Sequence, residues 1–201
     1  MAVSRLAFLA AFFVGVAAAP ALAQTQTPPV LTVKTLASVK IAAVPPAPLF
    51  WRLETFPTIA LAQSAAGATA LAVQSGGRNW LITLGPAGGM SAGSTKVAEV
   101  GPLPKVTAAH YLLQVNEASG PPGAVTPQHS HPGSETFYVL NGETTSHTPD
   151  GTMHVSAGHA EIGHVAGTPM QVSSSGATDL LSLVMFLVDA DQPFSTPAKL
   201  P

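Results

Sequence analysis

The sequence predicts an all-β protein, an antiparallel barrel or sandwich, and three observations carry that expectation. From residue 68 onward, short apolar runs recur at even spacing. Glycine and proline turns separate most of them, and the chain of 201 residues holds 18 Gly and 19 Pro. No heptad pattern and no long stretch of helix formers interrupts this rhythm. The composition narrows the function as well. Hydrophobic residues make up 46% and charged residues 9%, which argues for a packed core and against disorder. There is no cysteine, so disulfides, thiolate metal sites and a cysteine nucleophile are excluded. A formal net charge of −2 gives no basic surface for nucleic acid.

Residues 1–23 read as a secretory signal peptide: Arg5 supplies the basic region, an apolar run follows, and Ala21-Leu22-Ala23 is a small-x-small cleavage site. The expectation is a periplasmic or secreted protein with no membrane association after cleavage. Residues 24–48, rich in Thr, Pro and Ala, read as a flexible leader with at most one short strand at 30–33. Residues 49–107 form a β-rich extension, with a degenerate half-barrel as the alternative reading. It begins with the aromatic run 49–54 and a short helix over 57–66, which has Pro in its first turn and Gly67 just past its end. Strands follow at 69–74 and 79–84, joined by the hairpin signal Ser75-Gly76-Gly77-Arg78, and at 95–100. Residues 108–190 form the main barrel, with strands at 110–116, 137–140, 144–148, 152–155, 160–162, 170–173 and 180–188. The last could pass for a buried helix by hydrophobicity alone, but its length and its neighbours favour a central strand. Residues 191–201 are a C-terminal tail.

The chemistry is concentrated. All seven histidines lie between residues 110 and 164. The sharpest segment is GAVTPQHSHPGSETFYVLNG, residues 123–142. His129 and His131 are two apart, so on a strand they share a face and can share one metal ion. Glu135 follows beyond the Pro132-Gly133 bend. Two imidazoles and one carboxylate are the donor set of a facial triad that leaves positions open for substrate or dioxygen. A closed tetrahedral set would instead be structural.

The spacing Gly123, five residues, His129-x-His131, three residues, Glu135, six residues, Gly142 resembles the first motif of the cupin superfamily along its whole span. That resemblance, which covers about residues 108–190, implies a cupin-like antiparallel jelly-roll β-barrel with the ligands inside it. The N-terminal extension, with its short helix and extra strands, is additional. The second cupin motif is altered. Gly158 fits its opening glycine and Ala166-Gly167-Thr168-Pro169 its turn, but Met170 stands where the family places a ligand histidine. Met170 is then either a wall of the pocket or a soft fourth ligand suited to copper. His164 is either a substitute ligand or a residue lining the mouth, and Glu161 competes as a carboxylate. Of Phe137 and Tyr138, one faces in, which makes Tyr138 a candidate pocket wall and proton donor. His147 and His154 read as exposed partners across a hairpin, His159 as solvent-facing and His110 as structural. The glycine loop 85–93 lacks P-loop spacing, and no G-x-S-x-G elbow is present.

These readings point to an exported metalloprotein holding a divalent transition ion (Fe, Mn, Ni, Zn or Cu), with a small organic molecule as substrate or ligand. It is either an oxygenase, isomerase or lyase, or a non-catalytic binding protein. Pairing as a homodimer is left open.

Overall fold

The computed structural model describes residue 1, residues 27–46 and residues 48–201. The signal-peptide reading rests on residues 2–23, which lie outside the described residues. The elements run β1 (Thr32–Ile41), β2 (Phe50–Phe56), α1 (Ile59–Ala65), β3 (Ala70–Ser75), β4 (Arg78–Gly85), β5 (Thr95–Val100) and β6 (Tyr111–Gly120). Then come β7 (His129–Ser130), β8 (Gly133–Asn141), β9 (Glu143–Thr148), β10 (Gly151–Ser156), β11 (Ala160–Glu161), β12 (Gln171–Ser174), β13 (Leu180–Asp189) and β14 (Thr196–Pro197). The fold is all-β, an antiparallel jelly-roll barrel with a further sheet laid against it.

A five-stranded sheet in the order β1-β6-β13-β8-β11 is the backbone of the molecule. Strand β13 lies at its centre, in register with β6 on one side (Val184 opposite Asn116) and β8 on the other (Phe186 opposite Glu135). Its sequence LLSLVMFLVD is apolar on both faces because both faces are covered. Leu183, Met185 and Leu187 point to one core, with Trp51, Leu53, Trp80 and Ile82 of the four-stranded sheet β3-β4-β2-β5. Val184, Phe186 and Val188 point to the other, with Val155, Met170 and Val172 on the side of the three-stranded sheet β10-β9-β12. Residues 49–107 therefore make one sheet packed on the outer face of the barrel sheet.

Local chemistry explains the small elements. The β3–β4 hairpin turns on Gly76 and Gly77, both at positive φ (57° and 70°), a conformation that side chains with a Cβ resist. Helix α1 starts where the Thr58 hydroxyl accepts from the Leu61 N–H (3.3 Å), and Gly67 follows its C-cap Ala66.

One expectation is corrected. Residues 24–48, expected to be a flexible leader, contain the ten-residue strand β1, paired with β6 along its length. A β-bulge between Thr35 and Ala37 reverses which side chains face inward, so the alternation that betrays a strand changes phase midway. Before it, Leu31 and Val33 face the inner cavity; after it, Ala37, Val39 and Ile41 pack on the outer core. The C-terminal tail, residues 191–201, carries a short strand. Strand β14 pairs with β7, and Ala198 N–H donates to the Gln128 carbonyl (3.2 Å), which straps the C-terminus across the barrel mouth.

Candidate metal centre

Strand β7 is only two residues long, so its position depends on its neighbours. His129 and Met170 exchange two backbone hydrogen bonds (2.9 and 2.8 Å), and Pro197 of β14 lies opposite His129 on the other side. The Gly167 N–H donates to the His131 carbonyl (2.8 Å). Held this way, His129 and His131 present their rings together, centroids 4.9 Å apart and nearly perpendicular. The chain then bends at Pro132 and enters β8, and the third residue of β8 is Glu135. One ligand atom from each of His129, His131 and Glu135 lies within 4.8 Å of the others.

The hydrogen bonds fix the tautomers. His129 Nδ1 lies 2.8 Å from the Pro127 carbonyl, and His131 Nδ1 lies 2.6 Å from the Phe194 carbonyl. A carbonyl oxygen can only accept, so each Nδ1 carries the proton and each Nε2 keeps a free lone pair. This is the outer-shell arrangement that orients histidines for metal ligation. The His131 ring is enclosed by Phe186 and Phe194, with centroids at 4.9 and 4.8 Å. Burial is the main reason its pKa falls to about 4; the Phe194 carbonyl opposes the shift, and the neighbouring His129 adds to it. Burial likewise pushes the Glu135 carboxyl up to about 8. Its Oε2 is buried without any hydrogen-bond partner, an orphan acceptor of the kind a cation would satisfy. The donor set therefore fits a divalent ion.

The backbone behind Glu135 is held by a close approach. A Cβ placed on Gly163 would fall on the Glu135 carbonyl. Gly163→Ala should thus push the 161–164 segment off β8 and destabilise the protein by about 1–3 kcal/mol. Urea midpoints compared with Gly67→Ala check this, since nothing lies near a Cβ at that second glycine and its φ is not positive.

The other candidates lie elsewhere. Met170 is 1% exposed and stands directly opposite His129, but it is not among the residues lining the cavity in front of the triad. His164 is half-buried and its Nε2 is 2.8 Å from the Ser146 hydroxyl, outside the triad group; burial lowers its pKa. Glu161 pairs through its backbone with Phe137 and is also outside that group. Tyr138 is no pocket wall. It packs edge-on against Trp80 (5.8 Å) in the outer core, because strand parity sends Glu135 and Phe137 inward and Tyr138 outward. His147 and His154 are exposed, but they contact Thr152 and Thr145, not each other. His159 is exposed, and His110 meets Asp191 (2.9 Å) at the surface.

In front of the triad lies a cavity of about 260 Å³, walled by Leu31, Val33, Phe137, Val184, Phe186 and Phe194. Sequence reasoning does not find Phe186 or Phe194. The first enters through its register opposite Glu135 and the second from the C-terminal tail, and neither carries a local signal.

Residues 117–171 match the family model of a cupin domain. A crystal structure of DMSP lyases is 20% identical, with a TM-score of 0.37 over 43% of this chain and 44% of that one. A cupin-like protein of Thermotoga maritima is 17% identical, with a TM-score of 0.39 over 44% of this chain and 65% of that one. A protein with a double-stranded β-helix domain from Klebsiella pneumoniae is 22% identical, with a TM-score of 0.37 over 43% and 75%. The chain thus spans less than half of the DMSP lyase structure and less than two thirds of the Thermotoga protein. No curated protein sequence matches it.

Proposed function

The chain belongs to the cupin superfamily through residues 117–171, and from that premise we propose that it is an exported metalloprotein acting on a small organic molecule. His129, His131 and Glu135 would hold one divalent transition ion. The observation that carries this reading is the Glu135 carboxylate, buried with an unpartnered oxygen beside two imidazoles whose free lone pairs are on Nε2. A bound ion would supply Lewis acidity toward an oxygen of the ligand. The chain's own residues do the rest. The Pro127 and Phe194 carbonyls orient the imidazoles, and His131 is neutral at pH 7 and ready to ligate. Glu135 gives up its proton on binding, and the apolar walls exclude water.

The direct test is the metal content of the purified protein, expected at one ion per chain and lost in His129→Ala and His131→Ala. A protein that stays metal-free in excess Zn, Ni, Mn, Fe and Cu would overturn the reading. A non-catalytic binding protein is the second reading, favoured by the methionine at the family's remaining ligand position. Turnover of catechols or other neutral one-ring molecules by metal-loaded protein separates the two.

Met170 also has a measurable consequence. Residues directly opposite in an antiparallel pair project from the same face, so Met170→His should add a nitrogen donor beside His129. Affinity for Zn or Ni is expected to rise at least about tenfold if the new imidazole reaches the ion; unchanged affinity would show that position 170 lies behind the wall. His164→Ala should leave affinity unchanged, because its Nε2 is already engaged by Ser146. Parallel metal titrations of the two variants check both outcomes.

A further inference from the structure

The cavity in front of the triad is not neutral ground for every small molecule. Its wall contains no lysine and no arginine among the described residues, and Glu135 is its one carboxylate. Leu31, Phe137, Val184, Phe186 and Phe194 line it, Val33 stands at its rim 53% exposed, and the half-buried Thr126 and exposed Ser195 add hydroxyls but no charge. Away from the triad, a charged ligand group would lose its hydration there and gain no counter-charge from the wall.

One buried polar side chain breaks this apolar wall away from the triad. Asn116, on β6, is 3% exposed and faces the cavity. Its Oδ1 accepts from Gln114 Nε2 (2.9 Å), and Gln114 in turn reaches Thr35 Oγ1 (3.4 Å), so the amide is held in one orientation. Among the described residues no group accepts from Asn116 Nδ2, and that nitrogen is not among the sealed, unpartnered atoms of the core. A donor fixed in this way, within an apolar pocket, is a recognition element.

The sheet register places it. Asn116 lies opposite Val184, and Val184 opposite Phe137, while Glu135 lies opposite Phe186 at the next inward-facing position. Two strand spacings, about 10 Å between backbones, separate the Asn116 strand from the Glu135 strand. Val184, Phe137 and Phe186 fill the interval.

We propose that the cavity binds a small, uncharged, one-ring-sized molecule, with a hydrogen-bond acceptor at one end for Asn116 Nδ2 and its reacting group at the other end toward the triad. This deepens the metalloprotein reading and rests on it for the identity of the reacting end. The Asn116 end can be tested without any ion.

Acetophenone, ethylbenzene and benzoate, matched in size, serve as probes of the metal-free protein by NMR titration at pH 7. Acetophenone should bind at least about fivefold more tightly than ethylbenzene, as one neutral hydrogen bond allows. Benzoate should bind at least about tenfold more weakly than acetophenone. Asn116→Leu should erase the acetophenone preference, with ethylbenzene bound at least as tightly as before. Asn116→Asp, which keeps the size but replaces the donor, should erase it as well. The proposal is overturned if benzoate binds as well as acetophenone, if the preference survives both substitutions, or if no probe shifts the cavity resonances. The comparison of the three probes on the unsubstituted protein decides the charge and acceptor claims even if a variant fails to fold. Failure of the metal reading would show separately, as absence of metal uptake.

Discussion

The Glu135→Gln protein should take up no divalent ion, and in metal-free form it should gain on the wild type as pH rises. Both effects come from one group. Glu135 is buried, its Oε2 has no partner, and its folded pKa is about 8 against an ordinary value of 4.5. A pKa raised in the folded state means that the contribution of this carboxyl to stability is fully present below pH 4.5. It is lost as pH rises through about 8, where the folded protein must either hold a buried charge or keep its proton against the solvent. His131 works in the opposite direction: its folded pKa is about 4 against 6.5, so its contribution is present above 6.5 and lost as pH falls through 4. The glutamine variant keeps the His131 dependence and removes that of Glu135. Between pH 5.5 and 8.5 the difference in unfolding free energy between the two metal-free proteins should therefore grow by about 3 kcal/mol in favour of the variant. Urea denaturation at the two pH values measures it, and parallel curves would show that Glu135 is solvated or already ionised. With the ion bound the order should reverse, because the cation stabilises the carboxylate that burial penalises. Metal binding to the wild type at pH 7 should also release about one proton, most of it from Glu135. Calorimetry in buffers of different ionisation enthalpy reads that number directly.

Part of this site is legible in the amino-acid sequence alone, and the reason is local. His129, His131 and Glu135 fall within seven residues, so strand parity and one bend nearly settle their convergence. The hairpin at Gly76-Gly77 and the central strand at Leu180–Asp189 are readable for the same reason: turn chemistry and a continuous apolar run are properties of short windows. What escapes is non-local. Adjacency to Glu135 suggests Tyr138 as a pocket wall, but the outer sheet offers Trp80 to the opposite face, and a residue three positions on from Glu135 points there. Strand β1 is hidden by its bulge and by an exposed, polar outer edge. Asn116 and Phe186 enter the cavity through register across β6, β13 and β8, which no single window of sequence contains. Phe194 is farther still: 63 residues separate it from the histidine whose ring nitrogen it holds.

That distant contact carries the second large expectation. Ending the chain after Asp191 removes the Phe194 carbonyl, the Phe194 ring and β14 together. His131 would lose its Nδ1 acceptor and one of the two rings that enclose it, and β7 would lose the partner strand opposite His129. Loss of an outer-shell hydrogen bond to a ligating histidine typically costs 10–100-fold in metal affinity, and here the ligand strand is loosened as well, so a drop of at least about 100-fold is expected. The His131 pKa, held near 4 chiefly by burial, should move up toward 6.5 in the shortened protein, which an NMR titration of the ring would follow. Phe194→Ala separates the two contributions. It keeps the backbone carbonyl and removes the ring, so it should lower stability by about 3–5 kcal/mol if the ring packs like a core phenylalanine, and somewhat less for its partial exposure. Its metal affinity should nevertheless stay within about tenfold of the wild type. If the shortened protein binds metal as tightly as the full chain, the tail is a passive cover, and the orientation of His131 comes from its position on β7 alone.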